Sequence, residues 1–109
     1  MKPCISQATT MDAATEADLK AYGRGGWSLV ELWLTKVEDY LREHSVADLR
    51  GLLDENGLSP AAAAGQGGLL LARGAERAAH WDLFRRRLAL LQELRTPVLV
   101  VAVDFHRAP

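Results

Sequence analysis

One carboxylate stands in an otherwise apolar run. Glu31 lies within Gly25-Gly26-Trp27-Ser28-Leu29-Val30-Glu31-Leu32-Trp33-Leu34, and a lone charge among such neighbours is costly to bury without a partner. Its chemistry has two readings. It can orient a ligand hydroxyl, or it is a carboxylate satisfied by Ser, Gln or backbone on a neighbouring strand. Trp33, near the carboxyl end of the same stretch, either contacts a ligand or packs in the core. Gln66, in Gly65-Gln66-Gly67-Gly68, carries an amide suited to hydroxyl recognition, or it caps loop backbone. Asp104 and His106 are two apart and share a face if the chain is extended, so they are a candidate metal or acid/base pair. Two ligands alone do not make a metal site.

Other reactive residue types offer less. Cys4, with no activating neighbour in sequence, reads as a small core hydrophobe. His44 and His80 fall on helical stretches without partner spacing. Arg85-Arg86-Arg87 occupies successive helical positions that point in different directions, so it reads as solvated helix surface. No nucleophile elbow, zinc spacing or Walker loop is present. The run Gly23-Arg24-Gly25-Gly26 precedes a strand instead of joining a strand to a helix. It therefore reads as a left-handed helix stop and not as a phosphate loop.

These residues must be placed by elements. Strand alternation sets Leu29, Glu31 and Trp33 on one face, and Val30, Leu32 and Leu34 on the other. The second face is wholly apolar and suits packed helices, whereas the mixed first face suits a barrel interior or a polar pocket. Before this central strand come a short strand over residues 3–8 and a helix capped by Thr15 with acids in its first turn. After it come a helical turn over residues 35–41 and a helix that opens on a Ser45/Asp48 capping box and stops at Asn56-Gly57. An Ala-rich third strand spans residues 58–64. A long helix over residues 75–94 carries an apolar stripe at Phe84, Leu88 and Leu91. A valine-rich fourth strand, over residues 97–103, is expected to be buried on both faces. Apolar strands alternating with helices predict an α/β fold with a parallel sheet and right-handed crossovers.

At 109 residues and a formal net charge of −1, the chain is at most one domain and shows no electrostatic footprint for nucleic acid or anionic membrane. A single cysteine excludes an internal disulfide. The start lacks a signal-peptide run and no apolar stretch could span a bilayer, so a cytoplasmic location is expected.

Gly26-Trp27-Ser28-Leu29-Val30-Glu31-Leu32-Trp33, followed by the Ala-rich third strand into Gly65-Gln66-Gly67-Gly68, resembles the sugar phosphate isomerase/epimerase family of xylose-isomerase-like TIM barrels. The long third helix running into a Pro-started valine strand fits the same pattern. The resemblance implies that residues 1–109 form the N-terminal half of such a barrel, βαβαβαβ with sequential parallel strands. It implies a parent acting on a sugar or similar hydroxy-carbonyl compound with a bound divalent metal such as Mn or Mg. The metal ligands of that family come from the second half of the barrel, so none is carried onto this chain. No cofactor is expected in this chain itself, which by itself should be inactive. In this setting Glu31, Trp33, Gln66 and Asp104 are the candidate substrate contacts, with Trp33 offered to a sugar face. Arg95-Thr96 stands where the family more often has a glycine turn. A doubly wound flavodoxin-type sheet is the alternative fold, and a non-catalytic binding or assembly module the alternative function. An unclosed sheet leaves edges and an uncovered inner face. The chain is therefore expected to pair with a second copy, pair with a C-terminal half-barrel, or aggregate.

Overall fold

The computed structural model describes residues 2–102. Its elements are β1 (Ile5–Ser6), a 3₁₀ turn (Gln7–Thr10), α1 (Thr15–Arg24), β2 (Leu29–Trp33), α2 (Leu34–Tyr40), α3 (Val46–Glu55), β3 (Ser59–Gln66), α4 (Gly74–Glu93) and β4 (Leu99–Val101). The four strands form one parallel sheet in the order β1-β2-β3-β4. A flavodoxin-type order would set β1 between β2 and β3, and the sequential order is what half a TIM barrel requires.

The faces of β2 are divided as its alternation predicts. Val30 and Leu32 are fully buried, and Leu29, Glu31 and Trp33 are half-buried. Val30 and Leu32 join Leu34 of α2, Leu19 of α1, Leu49, Leu52 and Leu53 of α3, and Leu91 of α4 in one core. The sheet thus has a convex face under helices and a concave face carrying Glu31 and Trp33.

Local chemistry explains the helix ends. Ser45 Oγ accepts from Asp48 N–H at 3.0 Å while the Asp48 carboxylate accepts from Ser45 N–H at 2.9 Å, completing the capping box. These hydrogen bonds from Ser45 backbone and side chain hold the Asp48 carboxyl below the usual range. A carboxyl with a depressed folded value stabilises above its unfolded value, and that contribution is lost as pH falls through the folded one. Asp48→Asn, which removes the titrating carboxyl, is therefore expected to flatten the acid limb of a stability-versus-pH curve below the ordinary aspartate range. A limb unchanged from wild type would contradict this.

At the end of α1, Gly26 takes a left-handed φ of 84° and Trp27 N–H reaches back to Tyr22 C=O at 3.1 Å, the glycine stop expected there. Among the described residues Arg95 is the one non-glycine residue with positive φ, at 56°. Such a residue costs about 1–2 kcal/mol, and the conformational freedom of glycine offsets about half of that. Arg95→Gly should therefore raise stability by about 0.5–1 kcal/mol, read as a higher urea midpoint. A lower midpoint would contradict it.

Several expectations need correction. The first strand is only Ile5–Ser6, because the chain turns at once into the 3₁₀ turn. Thr15 is the first helical residue and not the cap, since its hydroxyl is turned inward to Gln7. The third strand extends through Gln66. The stripe of α4 is rotated from the expected one: Arg87 and Leu91 are buried while Leu88 is 44% exposed. The fourth strand is not buried on both faces; Val98, Val100 and Val101 are 50%, 48% and 43% exposed, because it is the sheet edge.

Candidate functional site on the concave sheet face

Glu31 and Ser6 are register partners on neighbouring strands. Ser6 Oγ donates to Glu31 Oε1 at 2.7 Å, so a neighbouring-strand serine satisfies one carboxylate oxygen. Among the described residues Oε2 has no hydrogen-bond partner, which leaves it free for a ligand donor. Cys4 stands beside this pair. It is exposed and not a core residue, and its thiol is held above its ordinary value by partial burial and then by the Glu31 charge. That direction lowers its thiolate fraction and argues against a nucleophile.

Trp33 is the last residue of β2 and pairs with Ala64. The small side chains of Ala62 and Ala64 leave room on the concave face for its ring. Gly65, at a φ of 106°, comes close enough that an added Cβ would sit 3.4 Å from the indole. The backbone beneath Trp33 is fixed as well, because its N–H donates to Gln7 Oε1 at 2.8 Å.

Gln7 belongs to a buried polar cluster that the sequence did not reveal. Its Nε2 donates to Thr15 Oγ1 at 3.1 Å and to Asp18 Oδ2 at 3.0 Å. Lys36 Nζ donates to Gln7 C=O at 3.2 Å, Thr10 C=O at 2.7 Å and Asp18 Oδ2 at 2.5 Å. All three ammonium protons are thus used. Thr10 Oγ1 donates to Asp18 Oδ1 at 2.6 Å, and the Tyr22 hydroxyl closes the cluster on Thr10. The cluster ties the turn after β1 to the start of α2, and so holds the carboxyl ends of the first two strands in place.

Gln66 is turned elsewhere. The β3–β4 register shifts between Ala63 and Gln66, and the Gln66 side chain meets α4. Its Oε1 accepts from Arg87 Nη1 at 3.0 Å, and its Nε2 donates to Gly67 C=O at 2.8 Å. Arg87 also clamps Glu38 through Nε and Nη2, at 2.9 and 2.7 Å. The reading of three solvated arginines is thus right for Arg85, paired with Asp82 on the surface, and wrong for Arg87. Of the four candidate contacts, Glu31 and Trp33 share the concave face, and Gln66 is held by α4. Asp104, with His106, lies outside the described residues.

A cavity of about 440 Å³ opens between the start of α1 and α2, lined among others by Asp12, Glu16, Asp39 and Glu43, with His44 stacked on Tyr40 at 4.1 Å. It lies apart from the concave face. No group of three or more His, Cys, Asp or Glu able to hold a metal occurs among the described residues. None of the described residues is therefore assigned to a metal. Among the described residues no helix is long and apolar enough to cross a membrane.

Sequential parallel strands with helices on one side and a mixed face on the other define half of a TIM barrel. Solved structures agree. The IolI protein, determined with a zinc atom, superposes with a TM-score of 0.87 at 20% identity, over 100% of this chain and 40% of its own. D-psicose 3-epimerase, determined in the presence of D-fructose, superposes with a TM-score of 0.71 at 21% identity, over 94% of this chain and 37% of its own. A xylose isomerase domain protein from Alicyclobacillus acidocaldarius gives 0.71 at 19% identity, over 91% of this chain and 35% of its own. The chain thus spans about two-fifths of the length of the structures it matches, and at these identities the likeness is one of fold. No family model matches the sequence, and no curated protein sequence matches it.

Proposed function

We propose that this chain is the N-terminal half of a sugar isomerase or epimerase barrel, working in the cytoplasm on a sugar or sugar-like hydroxy-carbonyl compound. The observation that carries the reading is the Glu31–Trp33 pair on the concave face, near the carboxyl end of β2, where barrels of this kind take their ligands. Glu31 Oε2 accepts from a substrate hydroxyl while Ser6 holds Oε1. The Trp33 ring covers an apolar face of the sugar. Asp104, beyond β4 in sequence, is assigned to the same rim, whereas the Gln66 amide is already taken by Arg87 and Gly67. A divalent metal, Mn or Mg or similar, belongs to the complete enzyme and takes its ligands from a second half. That it is D-psicose 3-epimerase whose structure was determined with D-fructose supports a ketose as first probe.

Four strands do not enclose a barrel interior. Completing the site takes a second four-stranded arc, from another copy or from a C-terminal half. The purified 109-residue chain with Mn²⁺ or Mg²⁺ is expected to show no turnover of D-fructose or other ketoses. Robust turnover would refute its inactivity. D-fructose should nevertheless perturb Trp33, and no response at Trp33 would refute the site. A non-catalytic assembly module is the second reading, favoured by the exposed valines of β4.

A further inference from the structure

We propose that a cleft near the amino-terminal ends of β3 and β4 is an oxyanion site, with Arg50 and Arg95 taking a phosphate group. It lies toward the other end of the strands from the Glu31–Trp33 rim and does not depend on the sugar reading. The cleft has a volume of about 300 Å³ and is bordered by the later part of α3, the first residues of β3 and the chain leaving α4. Three buried leucines, Leu53, Leu58 and Leu94, line it and give it an apolar base. Arg50, Arg95 and Ser59 supply donors around them. Among the described residues neither guanidinium makes a hydrogen bond or an ion pair, although Asp54 borders the same cleft.

Local structure does not account for these arginines. A basic side chain can offset the dipole at a helix C-terminus. The last turn of α3 holds no basic residue, however, and the Arg95 side chain bonds no carbonyl of α4. The backbone at Arg95 favours glycine instead. Its N–H donates to Gln92 C=O at 3.2 Å, and Thr96 N–H donates to Leu91 C=O at 2.9 Å. The ends of α1 and α3 close on the same two bonds, and there the left-handed residue is a glycine, Gly26 at φ 84° and Gly57 at φ 66°. Only the third stop carries an arginine, at a cost in stability that glycine would avoid. Strain of this kind collects at functional sites, where the side chain does something the turn does not need. Two guanidinium groups suit phosphate, because each presents paired N–H donors to two oxygens. The cleft sets two positive charges against one negative, which favours an anion.

Inorganic phosphate is titrated into the full chain at constant ionic strength, read by backbone amide spectra and by thermal melting. The amides of Arg50, Ser59 and Arg95 should shift and saturate while those of Ser6 and Glu31 stay in place. The melting temperature should rise to a plateau with phosphate and not with matched sodium chloride. Arg95→Gly should melt higher than wild type without phosphate, yet bind phosphate about tenfold more weakly, the loss of one charge-assisted contact. A weakened response in a stabilised variant cannot come from misfolding. Arg50→Gln should weaken binding by a similar factor, and Asp54→Asn should tighten it by removing the opposing charge. No saturable effect of phosphate, shifts confined to the concave face, or full binding kept by either arginine variant would overturn the proposal.

Discussion

Lys36→Met is expected to cost the fold about 3–5 kcal/mol, the range for removing one partner of a buried ion pair. Lys36 is 8% exposed and Asp18 1%. Removing the ammonium strands the Asp18 carboxylate where water cannot replace it, and two backbone carbonyls, of Gln7 and Thr10, lose their donor. For a domain this small such a loss is much of the total stability. The double variant Asp18→Leu with Lys36→Met should recover a large part, because an apolar pair leaves no uncompensated charge. Urea unfolding of the three proteins checks this. A single variant within about 1 kcal/mol of wild type would show that the cluster is not what holds the strand ends.

Arg87→Met should cost less, about 2 kcal/mol, which for a domain of this size is roughly 10 °C in melting temperature. The guanidinium is 5% exposed, but the side chain of its partner Glu38 is 32% exposed and can rehydrate. The unsatisfied remainder is therefore the amide oxygen of Gln66 and the carbonyl of Gly65. By the same reasoning Glu38→Gln should be milder than Arg87→Met. The reverse order in thermal melts would mean that the exposed partner matters more than the buried one.

The division of the sheet into two faces was legible in the sequence because β2 places an apolar residue at every second position from Val30 to Leu34, a face suited to the helices that alternate with the strands. The Ser45/Asp48 cap and the glycine stop at Gly26 were legible because both are local. The buried polar cluster was not. Gln7, Thr10, Thr15, Asp18 and Lys36 come from three separate elements, and no spacing along the chain links Lys36 to Asp18. Arg87 was hidden by its two solvated neighbours and by a helix whose apolar residues do not fall on one stripe. The contact of Gln66 with Arg87 was not legible, because a register shift at a glycine of φ 106° breaks the two-residue period of the strand. The fourth strand was expected to be buried because its composition is that of a covered strand; what would cover it is not a property of its own residues.

The claim that the concave face is a sugar site rests most heavily on Trp33, and the chain carries its own controls, Trp27 and Trp81, off that face. Proton–nitrogen correlation spectra of the full chain, recorded while D-fructose is added, separate the three indole N–H signals. The Trp33 indole and the backbone amides of Ser6 and Glu31 should shift together and saturate, with the Trp27 and Trp81 indoles unmoved. If Trp33 stays still, or all three indoles drift equally, the concave face does not bind the sugar.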